Sequence, residues 1–236
     1  YFLDIMSKIL IAGFDPGINS TGKCIMTLDD KTLDIIDVQL YGYNKTIKRC
    51  LKGQNCQIFH TSTQYTSMNM FDRQNMAYNI LAKDMEDVKH VAFEGYAFGY
   101  ADKEKSSGSL VQIGEFVGGM KKFFYDMGKG IIIYPPRTVK KFASGNGNAG
   151  KTMMCEMFAS EYPKWYPSEV FSQLPQFVDP HADICDAFWI AHTLRHHLIY
   201  EILGTDTLDK GIVALLEAKS DKDSDAIVET ELIIKK

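Results

Sequence analysis

The stretch Lys8-Ile9-Leu10-Ile11-Ala12-Gly13-Phe14-Asp15-Pro16-Gly17 is an apolar run of strand length that stops on a carboxylate and turns at Pro-Gly. Strands buried on both faces of a sheet read as continuous apolar runs of this kind. Ligand sites of such sheets gather at the carboxyl ends of the strands. A chain built on this segment therefore needs cover on both sides of its sheet, and Asp15 is the first residue to examine for chemistry.

Residues 23–29 and 33–40 read as two further strands, with Asp29-Asp30-Lys31 as the turn of an antiparallel hairpin. Residues 41–67 are polar, without a clear period, and read as a loop or insertion; Lys45, Lys48, Arg49 and Lys52 form a basic cluster there, expected to be a solvated face. Met70, Phe71, Met76, Ile80, Leu81 and Met85 recur at helical spacing over 68–87 and are expected to fill core. Lys89 to Gly95 is a short strand ending on Glu94, which repeats the arrangement at Asp15. A second amphipathic helix over 110–127 carries Leu110, Ile113, Val117, Met120 and Phe124 on one stripe. Its Gly114, Gly118 and Gly119 suggest close approach of another backbone.

Ile131 to Tyr134 is a strand stopped by Pro135-Pro136, and helical turns follow over 138–143 and 150–162. Pro163 to Phe177 reads as irregular surface. Asp179-Pro180 reads as a helix start, with Asp179 as cap and Pro180 in the first helical position, and Gly204 ends that helix. The order βββ-α-β-α-β-α fits an α/β fold with a five-stranded mixed sheet and helices on both faces. The expected division is a domain over 6–204 and an acidic extension over 205–236, with residues 1–5 as upstream sequence.

With 236 residues the chain has room for one good core. No apolar run reaches the ~18 residues that span a membrane, so no membrane partner is expected, and no secretory signal pattern is present. Five scattered cysteines without a C-x-x-C pair suit free thiols in a reducing cytosol, giving a cytoplasmic expectation. The net charge of −4 argues against nucleic acid only until its distribution is considered. Residues 205–236 hold eight acids against five lysines, whereas residues 121–151 hold seven basic side chains and one acid, Asp126. Local field, not total charge, decides what a cleft attracts.

Asp183 and Asp186 lie three apart on the last helix and share one face, which Ile190 continues. Alone, such a pair is an ordinary favourable interaction with a helix start. Together with Asp15 and Glu94, each ending a strand, it makes four carboxylates that would repel unless a cation sits between them. Hard oxygen donors select Mg²⁺, with Mn²⁺ able to substitute. Two ions roughly 3.5–4 Å apart activate a water and steady the leaving oxygen in phosphodiester cleavage.

At these residues the chain resembles the RuvC family of Holliday-junction resolvases, which have a ribonuclease H-like fold. Phe14-Asp15-Pro16-Gly17 with Thr21-Gly22 is similar to that family's first motif, Phe93-Glu94 to its second acid, and Asp183-Ile-Cys-Asp186-Ala187 to its closing D-x-x-D-A. Val139-Lys140-Lys141 and Gly145 to Lys151 resemble the segment whose lysines approach DNA phosphates, and Ile113-Gly114 and Gly118 fit the helix between. The match runs in order from about residue 8 to 200.

The resemblance implies a Mg²⁺-dependent endonuclease on branched DNA, with Asp15, Glu94, Asp183 and Asp186 holding two ions per active site. It also implies phosphate contacts from Arg137, Lys140, Lys141 and Lys151, and a homodimer that makes paired nicks in four-way junctions during recombination or replication. The helix over 110–127 is then expected to form part of the dimer interface. The family's junction-stacking aromatic aligns with Ala97, flanked here by Tyr96 and Phe98, to which the role is carried. His181 and His192 are candidates for the second shell of the site or for ordinary structural roles. The longer 41–67 segment and the tail resemble phage-encoded members more than cellular ones, in which case the location is the host cytoplasm.

Two other readings compete. Gly145 to Thr152 satisfies the P-loop pattern of NTPases, but a P-loop follows directly on a buried strand, and Arg137 to Ser144 is basic and not strand-like, so no nucleotide cofactor is expected. Asp15 to Gly22 also resembles the first phosphate loop of actin-like ATPases, which need a second such hairpin and a longer chain. A non-catalytic junction-binding protein is a third possibility, against which the presence of all four acids speaks.

Overall fold

The computed structural model describes residues 7–47, 49–60, 67–95, 107–204, 206, 208 and 210–217. Its strands are β1 (Lys8–Asp15), β2 (Ser20–Asp29), β3 (Ile35–Asn44), β4 (Leu51–Lys52), β5 (Cys56–His60), β6 (Val88–Glu94) and β7 (Gly130–Tyr134). Its helices are α1 (Met70–Leu81), α2 (Ser107–Asp126), α3 (Pro136–Ser144), α4 (Lys151–Glu161), α5 (Ser168–Phe171), α6 (His181–Leu203) and α7 (Lys210–Glu217).

The strands form one mixed seven-stranded sheet in the order β4-β5-β3-β2-β1-β6-β7. β1 pairs antiparallel with β2 and parallel with β6; β2 and β3 form the expected hairpin. The expected five strands become seven because residues 41–67 are not merely loop. β3 runs on to Asn44, β5 lies parallel to it, and the two-residue β4 closes the edge. β5 alternates in the ordinary way, Cys56 and Ile58 buried and Gln57 and Phe59 partly exposed, but over five residues that alternation is too short to stand out. Lys45, Arg49 and Lys52 are exposed, while Lys48 lies outside the described residues.

Successive side chains of a strand point to opposite faces, and this sorts the core into two. Ile11 on β1, Cys24, Met26 and Leu28 on β2 and Ala92 on β6 pack with α3, α4, α5 and α6. Ala12 and Phe14, Ile25, and Val91 and Phe93 pack on the other face with α1 and α2. Helix α6 lies directly on the centre of the sheet, and two glycines allow it. A Cβ at Gly13 would fall on the backbone of Ala191 and 2.5 Å from the carbonyl oxygen of Ala187; one at Gly22 would fall on the Asp183 carbonyl, 2.7 Å from the nitrogen of Ile184.

Several expectations change in detail. Helix α1 ends at Leu81 and buries Ala77 and Leu81, whereas Phe71 is 83% exposed, so the methionine-rich stripe is only partly core. In α2 the stripe holds at Val117, Met120 and Phe124, joined by Phe116. Among Gly114, Gly118 and Gly119, Gly119 has a close neighbour, the Tyr78 side chain, whereas Gly114 and Gly118 have nothing within 4 Å of a notional Cβ. Asp179 does not cap α6: the helix begins one residue later than expected, with Pro180, which has no polar side chain, in the cap position, and the Asp179 carboxylate accepts from Lys151. On the α1 side the fully buried Lys23 donates to the carbonyls of Leu81 (3.2 Å) and Lys83 (2.6 Å), and its ammonium lies 4.1 Å from the centre of the Tyr41 ring. Helix α7 rests against α3 and α6.

Candidate active site

Strand parity explains why the four acids lie at one end of the sheet on the α6 side. Asp15 follows Ile11 and Gly13 on the α6 side of β1, and Glu94 follows Ala92 on the same side of β6. The parallel register sets Gly13 beside Ala92 and Phe14 beside Phe93, so the two carboxylates end adjacent strands at one level. Helix α6 enters over this end, held down at Gly22, with Asp183 and Asp186 in its first two turns.

The acids lie near enough to act on one another electrostatically. Burial raises the Asp15 carboxyl well above the usual carboxylate range, and Asp183, Asp186 and Glu94 each push it further, with Lys151 opposing. Burial pushes Asp186 up to about 8, helped by Glu94, Cys155 and Asp183. Burial and Asp179 push Asp183 up to about 7 against the pull of Ser20 and Lys151. Glu94 is raised by burial, with Lys140 and Lys151 pulling it back. Like charges crowded in a half-buried site resist ionising together.

The loop between β1 and β2 is tied down. Thr21 Oγ1 accepts from the Gly17 amide (3.0 Å) and donates to the Gly17 carbonyl (2.7 Å), and Tyr43 donates to the carbonyls of Gly17 (2.6 Å) and Ile18 (3.0 Å). Ser20, at the start of β2, donates to Asp183 Oδ2. Lys151, the first residue of α4, donates to Asp179 and lies 3.8 Å from Asp183 Oδ1. Burial works against its charge, but Asp179 and Asp183 outweigh that and hold the ammonium above its ordinary range.

Asp15, Pro16, Ser20, Asp179 and Asp183 line a cleft of about 300 Å³, whose other wall brings Arg73 of α1 and Gln112 of α2. Ser20, Arg73 and Asp179 escape sequence reasoning. Ser20 has no periodicity to mark it, Asp179 carries only the pattern of a helix cap, and Arg73 lies in a helix whose apolar residues alone stand out. The predicted basic residues share one region: Arg137 and Lys141 are exposed on α3, Lys140 is half-buried and acts on Glu94, and Lys151 faces the acids. Tyr96 and Phe98 lie outside the described residues.

The two histidines pack rather than face the cleft. His192 bonds Tyr162 (2.8 Å) among Phe142, Phe188, Trp189 and His196. His181 pairs with Tyr166 (2.9 Å) and accepts from the Phe177 amide (3.2 Å). With Cys155 and Cys185 it forms a buried trio whose ligand atoms lie within 4.8 Å of one another. Accepting at Nδ1 leaves the ring proton on Nε2, toward Tyr166, and the Cys155 thiol bonds the same ring. Gly145 to Lys151 joins α3 to α4, with Gly145 in the left-handed region ending α3 (φ 73°). It follows a helix, not the strand that a P-loop requires.

A divalent cation fits this donor set. Oxygen donors are what Mg²⁺ and Mn²⁺ take, and the mutual destabilisation of four carboxylates faced by Lys140 and Lys151 is what such a cation relieves. Asp15, Glu94, Asp183 and Asp186 are the residues that would hold it.

No protein-family model matches the chain, and no curated protein matches it. Among solved structures it is similar to RuvC of Thermus thermophilus, at 21% identity and a TM-score of 0.50 over 82% of this chain and 96% of that one. It is likewise similar to T. thermophilus RuvC in complex with a Holliday junction substrate, at 20% identity and a TM-score of 0.52 over 83% and 96%. The chain has the ribonuclease H-like fold of the RuvC resolvases, with a seven-stranded sheet.

Proposed function

We propose that this protein is a metal-dependent, structure-selective endonuclease that nicks branched DNA and resolves four-way junctions by paired symmetric cuts. The observation that carries the reading is that Asp15 and Glu94 end adjacent strands beneath the start of α6, which carries Asp183 and Asp186, all four beside the basic helix α3. The same fold in T. thermophilus RuvC has been captured on a Holliday junction, which supports branched DNA as the substrate class.

In this reading the four carboxylates hold two Mg²⁺ ions, for which Mn²⁺ can substitute; bound there, the metal supplies the positive charge that makes water nucleophilic at neutral pH and steadies the departing oxygen. The chain's own residues do the rest. Buried strand ends fix Asp15 and Glu94, so the acids need little reorganisation when the phosphodiester arrives. Lys151 and Lys140 neutralise the scissile phosphate. Arg137 and Lys141 contact the flanking backbone, with affinity that falls steeply as salt rises. Tyr96 and Phe98 follow Glu94 in sequence and are proposed to stack at the junction centre. Paired nicks need two sites, so the active species is a homodimer, with the nuclease domain over 6–204 and the acidic tail as an extension. Four buried free cysteines suit a reducing cytoplasm.

The test is cleavage of synthetic four-way, Y-shaped and linear DNAs with Mg²⁺, mapping nicks on each strand. Symmetric paired cuts confined to the four-way form are expected. Glu94→Gln should keep junction binding and lose nicking; nicking that survives this change removes Glu94 from the site. Binding without nicking by the wild-type protein under any divalent metal would favour the non-catalytic alternative.

A further inference from the structure

We infer that Ser20 is a positioning residue that takes up Asp183 Oδ2 and so orients the Asp183 carboxylate for the metal that the acids would hold. The inference rests on the function proposed above and adds to it a residue outside the four acids. Ser20 sits on β2 with the parity of Gly22 and Cys24, so its side chain faces α6. Its Oγ lies within bonding reach of two acceptors, Asp183 Oδ2 and the Tyr43 carbonyl (3.2 Å). A serine has one proton to give, and the carboxyl oxygen, the nearer of the two acceptors, takes it. Asp183 Oδ1 is the oxygen that faces Lys151, at 3.8 Å. One oxygen of the carboxylate is thus anchored to the sheet and the other lies toward Lys151, with Asp179 also bonding the group.

The anchor is itself rigid. Ser20 is reached through the loop that Thr21 and Tyr43 hold at Gly17 and Ile18. The backbone of Asp183 cannot drift, because it rests on Gly22 two residues further along the same strand. Asp183 is only 7% exposed, so bulk water does not replace a lost hydroxyl easily. Partners that orient a metal ligand typically change metal affinity 10–100-fold when removed.

The experiment compares wild type, Ser20→Ala and Ser20→Thr by calorimetric titration of DNA-free protein with Mn²⁺, and by single-turnover nicking across a Mg²⁺ series. Ser20→Ala is expected to weaken Mn²⁺ binding ~10-fold or more and to move the Mg²⁺ requirement upward by a similar factor. Junction affinity in chelator should not change, and Ser20→Thr, which keeps the hydroxyl, should restore both metal readouts. In an Asp183→Asn background the Ser20→Ala effect on Mn²⁺ binding should vanish, since coupled residues are non-additive. Unchanged Mn²⁺ affinity in a folded Ser20→Ala protein overturns the inference, as does a threonine variant that behaves like alanine. A wild-type protein that neither binds Mn²⁺ nor nicks DNA overturns instead the function on which the inference rests.

Discussion

Lys151, the first residue of α4, places its ammonium 3.8 Å from Asp183 Oδ1 while donating to Asp179. It is therefore the cation through which the α4 segment reaches the acidic site, and it acts electrostatically on Asp15, Glu94 and Asp186 as well. Half of its side chain is exposed, which leaves it free to turn toward a phosphate. Lys151→Ala is expected to slow single-turnover nicking about 10²-fold, the scale of losing one preorganised charge donor, with Lys151→Arg intermediate. Asp179→Ala, which releases the lysine, should leave the rate within a few-fold of wild type. A rate in Lys151→Ala equal to wild type would show that this ammonium plays no part in the chemistry.

The contrast between the sheet glycines and the α2 glycines gives a stability prediction. Gly13→Ala or Gly22→Ala drives a methyl into the backbone of α6, where no side chain can swing away. Overpacking against backbone should cost ~3 kcal/mol or more, seen as a lower denaturation midpoint or as insoluble protein. Gly118→Ala meets nothing within 4 Å and should stabilise α2 by up to ~1 kcal/mol. If α2 forms the dimer interface, that gain is reversed and the Gly118→Ala protein dissociates in sedimentation.

The same strand-end logic shows what could be read from the chain beforehand. Asp15 and Glu94 stand out because apolar runs stop on them, and Asp183 and Asp186 because their spacing shares a helix face. The parity that aims Asp15 toward α6 is also present in the sequence, in the alternation from Ile11 to Asp15. What places Ser20 on Asp183 is not, because it depends on α6 crossing β2 at Gly22, a contact between residues over 160 positions apart. Asp179 has the local pattern of a helix cap, but the cap falls on Pro180 and the carboxylate pairs with a lysine brought in by α4, a partner that local sequence does not announce. Strand β5 is short and pairs parallel to β3, and the turn over Gly53 to Asn55 that precedes it joins it only to the two-residue β4, too brief a strand to read as a hairpin.

Lys23 provides a pH prediction away from the active site. Burial pulls its ammonium down to about 7, with Asp84 and Glu86 supporting the charge and Lys83 opposing it. Because the folded value lies below the unfolded one, the folded state sheds its proton first. The penalty for burying the charge is full below pH 7 and disappears as pH rises toward the unfolded value near 10.5. The wild-type protein should thus gain ~2 kcal/mol from this group between pH 7 and 9. Urea titrations at the two pH values should show that gain in wild type and not in Lys23→Met; identical pH dependence in both would mean that Lys23 titrates as an exposed lysine does.

The carboxylate cluster predicts that metal acts on stability as well as on activity. Asp186 has a folded value of about 8, raised by burial and then by Glu94, Cys155 and Asp183. A raised acid destabilises the fold when it ionises, so the penalty is absent below the unfolded value and present in full above pH 8. In chelator above that pH, Asp186→Asn should unfold at a higher temperature than wild type, by ~2–4 °C for each kcal/mol of repulsion relieved. Millimolar Mg²⁺ should raise the wild-type midpoint by mass action and move the Asp186→Asn midpoint much less. The variant should also lose nicking by about 10³-fold while binding junctions normally. Stability traded against activity in this way is what a set of acids assembled to hold a cation should display. A variant that is less stable than wild type in chelator would mean that Asp186 is a structural residue of α6.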